Sequence, residues 1–326
     1  MIEELPSFPA PPSRRTLLGA TAATALVLSA TPATAKGPIV WGDMDQTELD
    51  DAYDQRVYAP NYKLLEIRRR VASHAALAKL GPPASIAYGP TAVETLDVYH
   101  AKAVRPPILI FIHGGAWKAA RAREDAFIAE PLVNAGAMVV MPNFVGAVQA
   151  QGNLMTIADQ TRRAVAYVYK NAAGLGGDQD RIYLMGHSSG GHLGGVLVTT
   201  DWVAFGLPAA PFKSALLGSG MYDLKPVSLS KRSKYVDFTD EVIQELSPQR
   251  HIDRLHTPLI LTHGTQESPE FIRQSNDFYA AVRAAGKPVQ LSIGPGYNHY
   301  ETQETLGNPY GFMGRPALTM MNLALD

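Results

Sequence analysis

The apolar run Ile182-Tyr183-Leu184-Met185 passes without a break into Gly186-His187-Ser188-Ser189-Gly190, and a helix-compatible stretch follows. Few folds accept that order. A strand has to end in a turn so sharp that the serine stands exposed at its tip, with the next helix starting at once. Glycines at 186 and 190 let neighbouring backbone come close without a Cβ in the way. A serine hydroxyl is a weak nucleophile in water and becomes useful only beside a base and beside donors for a developing oxyanion. A bare G-x-S-x-G arises often by chance, so its weight depends on what else the chain carries, and in what order.

Upstream, Pro107-Ile108-Leu109-Ile110-Phe111-Ile112 is a continuous apolar run of strand length, as expected for a strand covered on both faces. It ends in His113-Gly114-Gly115-Ala116-Trp117. Backbone N–H groups at Gly114 and Gly115, with that of Ser189, form the expected oxyanion hole.

Downstream, the late strand Leu259-Ile260-Leu261-Thr262 precedes His263-Gly264-Thr265-Gln266-Glu267. The next apolar segment, Val289 to Ile293, leads through Gly294-Pro295-Gly296-Tyr297-Asn298 to His299. Serine, then acid, then histidine is a triad order, with His299 taking the proton of Ser188 and Glu267 orienting His299. Asp223 is the rival acid, since it follows the short apolar run Ala215-Leu216-Leu217; its alternative role is a turn or helix cap. Glu267 is preferred because its strand immediately precedes the one carrying His299.

His187 and His192 flank the serine, but neither belongs to an H-E-x-x-H pattern and the chain has no cysteine to complete a zinc set. Neither a metal nor a cofactor is expected. His192 is expected to pack or hydrogen-bond on the helix after the serine, and His263 to shape the acid loop. Trp117, Phe144 and Tyr222 follow strand ends and are candidates to line a substrate cleft; the other reading makes them core aromatics.

The strands alternate with helical stretches at 121–135, 157–173 and 271–285, and Ala137 to Met141 is a further buried strand. That rhythm predicts an α/β fold with a mostly parallel central sheet and helices on both faces, its ligand site at the carboxyl ends of the strands. Tyr62 to Leu80 is predicted helical, with Leu64, Leu65, Ile67, Val71 and Leu77 at rough helical spacing; Ser85–Tyr88 and Glu94–Tyr99 read as an opening hairpin. The expected organisation is a leader over 1–35, an N-terminal segment over 36–80 that packs over the site, and a catalytic domain over 81–326. Residues 225–250 break the rhythm and are either a surface insertion or part of a cap. With a net charge of −1 and no basic run, nothing marks a nucleic-acid partner.

The leader reading rests on Ser13-Arg14-Arg15-Thr16-Leu17-Leu18, an apolar stretch to about Ala30, and an A-x-A exit at Ala33-Thr34-Ala35. The arginine pair predicts the twin-arginine export machinery as a partner of the precursor, and a periplasmic or secreted mature protein. The apolar core falls short of the ~20 residues that span a bilayer, so no stable membrane anchor is expected.

With these residues in place, the chain from about Asp51 to near its C-terminus resembles the kynurenine formamidase-like and carboxylesterase group of the α/β-hydrolases. The resemblance rests on His113-Gly114-Gly115-Ala116-Trp117, Gly186 to His192, Asn298-His299-Tyr300, and Glu267-Ser268-Pro269-Glu270-Phe271-Ile272-Arg273-Gln274-Ser275, the last being the most diagnostic. Similar proteins often carry aspartate where this chain has Glu267. The resemblance implies an α/β-hydrolase fold and acyl-enzyme chemistry on small-molecule esters or amides. Combined with the export signal it implies an esterase for uncharged, moderately apolar esters, with arylformamidase as the alternative. A non-catalytic binding module on the same fold is the reading from another class. Such a module usually lacks the serine, the histidine or the glycines, and this chain has all of them.

Overall fold

Strand β5, Pro107–Ile112, is buried along its whole length, and its side chains alternate between two cores. Ile108, Ile110 and Ile112 point into one, Leu109 and Phe111 into the other. A strand buried on both faces needs a helical layer on each side. The computed structural model, which describes residues 36–118 and 122–324, has both layers.

A small antiparallel ribbon, β1 (Ile39–Trp41) and β2 (Met44–Asp45), opens the described chain, followed by α1 (Gln46–Ala52) and α2 (Tyr62–Leu80). The main sheet has eight strands. Besides β5 these are β3 (Ala84–Ala87), β4 (Thr95–Tyr99), β6 (Met138–Pro142), β7 (Asp178–His187), β8 (Ala215–Gly218), β9 (Leu259–Gly264) and β10 (Val289–Gly294). Their order is β10-β9-β8-β7-β5-β6-β4-β3. The β3–β4 and β4–β6 pairs are antiparallel and all the others parallel, so the expected mostly parallel sheet is present. Helices α4 (Leu154–Asn171), α5 (Ser189–Val198) and α8 (Pro269–Ala284) pack on one face through residues such as Val165, Leu193 and Phe278. Helices α3 (Ala129–Asn134) and α10 (Gly314–Met320) cover the other through Leu132 and Leu318.

Two expectations need correction. The stretch from 121 to 135 is not one helix: Ala122–Ile128 is a 3-10 segment kinked at Asp125, and α3 starts only at Ala129. Pro131 is the reason, because it has no N–H to bond back to residue 127 and its ring crowds that carbonyl. Residue 121 itself lies outside the described residues. Helix α2 forms as expected, but of its five spaced apolar residues only Leu65 and Leu77 pack inward. Leu64, Ile67 and Val71 are exposed, whereas Leu65, Ser73 and Ala76 are buried. Small residues let α2 approach the 122–128 segment closely enough for the Ser73 hydroxyl to donate to the Glu124 carbonyl at 2.8 Å.

From Gly37 onward the chain forms one compact unit, so residues 37–80 share the body of the sheet. Tyr53 donates to Glu270 at 2.7 Å and Gln55 to Ser268 at 2.8 Å, both at the start of α8. The leader read over 1–35, with Arg14 and Arg15, lies outside the described residues. No described helix is long and apolar enough to cross a membrane.

Candidate active site

Residues just beyond the carboxyl ends of β5, β7 and β10 meet at one cleft of about 540 Å³. Ser188 sits between β7 and α5 with φ 60 and ψ −127, the strained conformation that a sharp strand-to-helix turn imposes. Its backbone N–H bonds to the Gly218 carbonyl at 2.9 Å. Both glycines are required by packing: a Cβ at Gly186 would collide with the Gly190 carbonyl, and one at Gly190 with the Ile112 carbonyl. The turn therefore depends on β5 and α5 approaching closer than any side chain allows.

His299 comes from the first turn of α9, His299–Glu304, and its position is set by a capping box. The Asn298 side chain accepts from the N–H groups of Tyr300 and Glu301, and the Glu301 carboxylate accepts from the Asn298 N–H. Asn298 also donates to Asn61 at 2.9 Å, which ties the N-terminal segment to this helix. The imidazole is buried against the edge of Phe271 at 5.1 Å.

Glu267 follows β9 and precedes α8. Ser268 caps α8, Pro269 takes its first position, Glu270 lies in its first turn, and Phe271 packs on His299. This accounts physically for the Ser-Pro-Glu-Phe stretch: it starts a helix at a fixed angle and holds the preceding carboxylate under the imidazole. Glu267 Oε2 lies 2.9 Å from His299 Nδ1, and His299 Nε2 lies 2.8 Å from Ser188 Oγ. The second carboxylate oxygen accepts from Ser219 Oγ at 2.6 Å and from the Gly264 N–H at 2.8 Å. Asp223 is elsewhere. It caps α6 (Leu224–Ser228) by accepting from the Lys225 N–H and faces Arg250 at 3.6 Å.

Gly114, Gly115 and Ala116 line the cleft next to Ser188. Gly115, Ala116 and Trp117 all have positive φ, so the loop turns in a left-handed path that costs on the order of 1 kcal/mol or more at each non-glycine residue. The Trp117 N–H donates to Ser189 Oγ at 3.2 Å, which fastens this loop to the start of α5. The backbone N–H groups of Gly115, Ala116 and Ser189 have no acceptor among the described residues. They are thus available to an oxygen at the Ser188 tip, and the partial positive charge of the α5 N-terminus acts in the same direction. Ser219 and Ala116 escaped the reading of the sequence. Ala116 was legible as the residue after two glycines at a strand end; nothing local marks Ser219.

The flanking histidines are structural. His192 bonds to the Leu246 carbonyl at 2.8 Å and to Trp117 Nε1 at 3.2 Å, as the sequence predicted for a packing residue. Burial pulls its pKa down to about 4, and that of His113 likewise. His187, buried and beside His299, is held well below the ordinary imidazole value. All three are neutral at pH 7. No cluster of metal-binding side chains occurs among the described residues.

The expected substrate-contacting aromatics need correction. Trp117, Phe144 and Tyr222 are buried: Trp117 stands edge-on to His192, Phe144 stacks on His113 at 4.2 Å, and Tyr222 stacks on Phe278 at 4.4 Å. A strand-end position brought each into the core because a helix or loop already covers it. The cleft is instead walled mainly by residues 53–56, by Glu66 and Arg69 of α2, and by the 3-10 turn and its end over 231–235, and six of its side chains are cationic against two carboxylates.

Residues 96–204 match the BD-FAE family. The chain is 29% identical over 282 residues to the kynurenine formamidase of Danio rerio, covering 82% of this chain and 93% of that protein. It is 27% identical over 224 residues to esterase LipC of Mycobacterium tuberculosis, covering 62% of this chain and 55% of that protein. A thermophilic esterase of Thermogutta terrifontis has the same fold, with a TM-score of 0.62 at 19% identity over 76% of this chain and 98% of that one.

Proposed function

This chain belongs to the kynurenine formamidase-like and esterase group of the α/β-hydrolases, and we propose that it is an exported serine carboxylesterase acting on small-molecule esters. The observation that carries this reading is the hydrogen-bonded row Glu267–His299–Ser188, with free N–H groups beside the serine. Ser188 Oγ attacks the ester carbonyl while His299 Nε2 takes its proton. The carbonyl oxygen becomes an oxyanion facing the N–H groups of Ser189 and the 114–116 loop. On collapse the C–O bond to the alcohol breaks and His299 returns the proton to the departing oxygen. Water then repeats the sequence on the acyl-serine, releasing the acid. Glu267 holds His299 with Nε2 toward Ser188 and stabilises the imidazolium between the two proton transfers.

The second reading, arylformamidase, is favoured by the similarity to kynurenine formamidase along nearly the whole of that protein. Both substrates pass through a tetrahedral oxyanion, so the same N–H groups serve both. They differ at the leaving group, because an amine must be protonated before it departs. A formamidase also needs an acyl side closed down to a hydrogen, and a cleft of about 540 Å³ leaves room for a larger acyl group. The expected result is a higher kcat/KM for a short-chain aryl ester than for N-formylkynurenine. A value for the formamide well above that for the ester selects arylformamidase.

Export is proposed from Arg14 and Arg15 in the leader. Changing both to Lys keeps the charge but removes the guanidinium pair that the twin-arginine route reads. A precursor retaining residues 1–35 is expected to accumulate in the cytoplasm of cells making that variant; normal export of it rules out the route.

A further inference from the structure

We infer that Arg232 is a specificity-determining residue that holds a carboxylate on the substrate, so that the preferred substrates are anionic. The inference rests on reading this cleft as the hydrolytic site, and does not depend on ester over amide.

Arg232 lines the same cleft as Ser188 and His299, and only 6% of its surface is exposed. A guanidinium this buried ordinarily faces a carboxylate, because an unpaired charge out of water is costly. Arg232 has no acidic partner among the described residues. Its Nε and Nη2 donate to the Tyr53 carbonyl at 3.2 and 3.0 Å, and Nη1 contacts the Tyr235 hydroxyl at 3.4 Å. Those bonds use three of five N–H donors and leave one N–H on each terminal nitrogen for a further acceptor such as a carboxylate. The plane is fixed between aromatic faces, Trp117 at 5.4 Å and Phe271 at 5.9 Å. Phe271 in turn packs on His299, which puts the guanidinium one side chain away from the base.

The surroundings have the same sign. Of the two acids of the cleft wall, Asp54 is already engaged by Arg56 at 2.6 Å and Lys231 at 2.9 Å, and Glu66, on α2, is outnumbered by the six cationic side chains. Lys118, at the rim, stands over the Tyr235 ring at 4.5 Å and has no acidic partner among the described residues. The chain as a whole carries a net charge of −1, so this excess is local to the cleft. A positive, partly desolvated pocket with one rigid fork selects an anion and steers it to the serine.

The test compares matched ester pairs in which only the charge differs. Mono(4-nitrophenyl) glutarate against its methyl ester places the carboxylate on the acyl side; 4-acetoxybenzoate against methyl 4-acetoxybenzoate places it on the leaving group. Active-site titration with an uncharged fluorophosphonate counts competent enzyme, so rates refer to folded sites. At least one pair is expected to favour the anion in kcat/KM by roughly ten- to a hundredfold, the size of a hydrogen-bonded charge contact. Arg232→Gln should bring that ratio close to one, chiefly through KM, and Arg232→Lys should keep part of it. Equal rates for both members of both pairs in the native enzyme overturn the inference without any variant. So does a preference that survives in Arg232→Gln, or in Arg232→Lys at full size should the glutamine variant yield no titratable sites. Absence of a titratable serine in the native enzyme would instead overturn the hydrolase reading of the site.

Discussion

Ser188→Ala is expected to lower kcat by about 10⁴- to 10⁶-fold, the loss seen when a serine nucleophile is removed from a triad that works as a unit. The Ser188 hydroxyl makes one hydrogen bond, to His299, and its strained φ of 60 is the same strain for alanine. Its backbone contacts, including the N–H to Gly218, are untouched by the substitution. The variant should therefore unfold within a few degrees of the native protein while turning over almost nothing. Thermal melts alongside ester hydrolysis check both halves. A variant that keeps a tenth of native activity, with contaminating esterase excluded, removes Ser188 from the mechanism.

The second large effect is at the acid. Glu267→Gln should cost about 10³- to 10⁴-fold in kcat, because the amide removes the charge opposite the imidazolium and can hold the wrong tautomer. An amide NH₂ facing His299 Nδ1 would turn that nitrogen into an acceptor, placing the proton on Nε2, where it blocks the uptake of the serine proton. The carboxylate also accepts from two further donors, Ser219 Oγ and the Gly264 N–H, which fix its second oxygen in place. Asp223→Asn is expected to change kcat by less than about threefold, since asparagine caps a helix as well as aspartate does. If Asp223→Asn is the more damaging of the two, the acid has been misassigned.

The residues of the row were legible because each lies just beyond a strand, and strand ends in a parallel sheet converge on one edge. Ser188, Glu267 and His299 could thus be placed from order and apolar runs alone. The wall of the cleft was not legible. It is built by 53–56, by Glu66 and Arg69 on a polar face of α2, and by 231–235, and the approach of these segments to the site depends on long-range bonds such as Gln55–Ser268 and Asn61–Asn298. Trp117, Phe144 and Tyr222 misled because position after a strand does not say whether a helix already covers the side chain. Helix α2 misled in part: of its spaced apolar residues Leu65 and Leu77 pack inward, but Leu64, Ile67 and Val71 face out while close packing selected the small residues Ser73 and Ala76. The capping box at Asn298 and Glu301, by contrast, is a local N-x-x-E pattern that fixes His299 and could have been read directly.

The central claim is that Ser188 is the nucleophile of an acyl-transfer site. It is tested most directly by treating the native protein with a fluorophosphonate and mapping the adduct by peptide mass spectrometry. A single phosphonyl group on Ser188, with activity lost in proportion to labelling and no adduct after Ser188→Ala or His299→Ala, is the predicted result. An unlabelled native protein, or a stoichiometric adduct on any other residue, would contradict it.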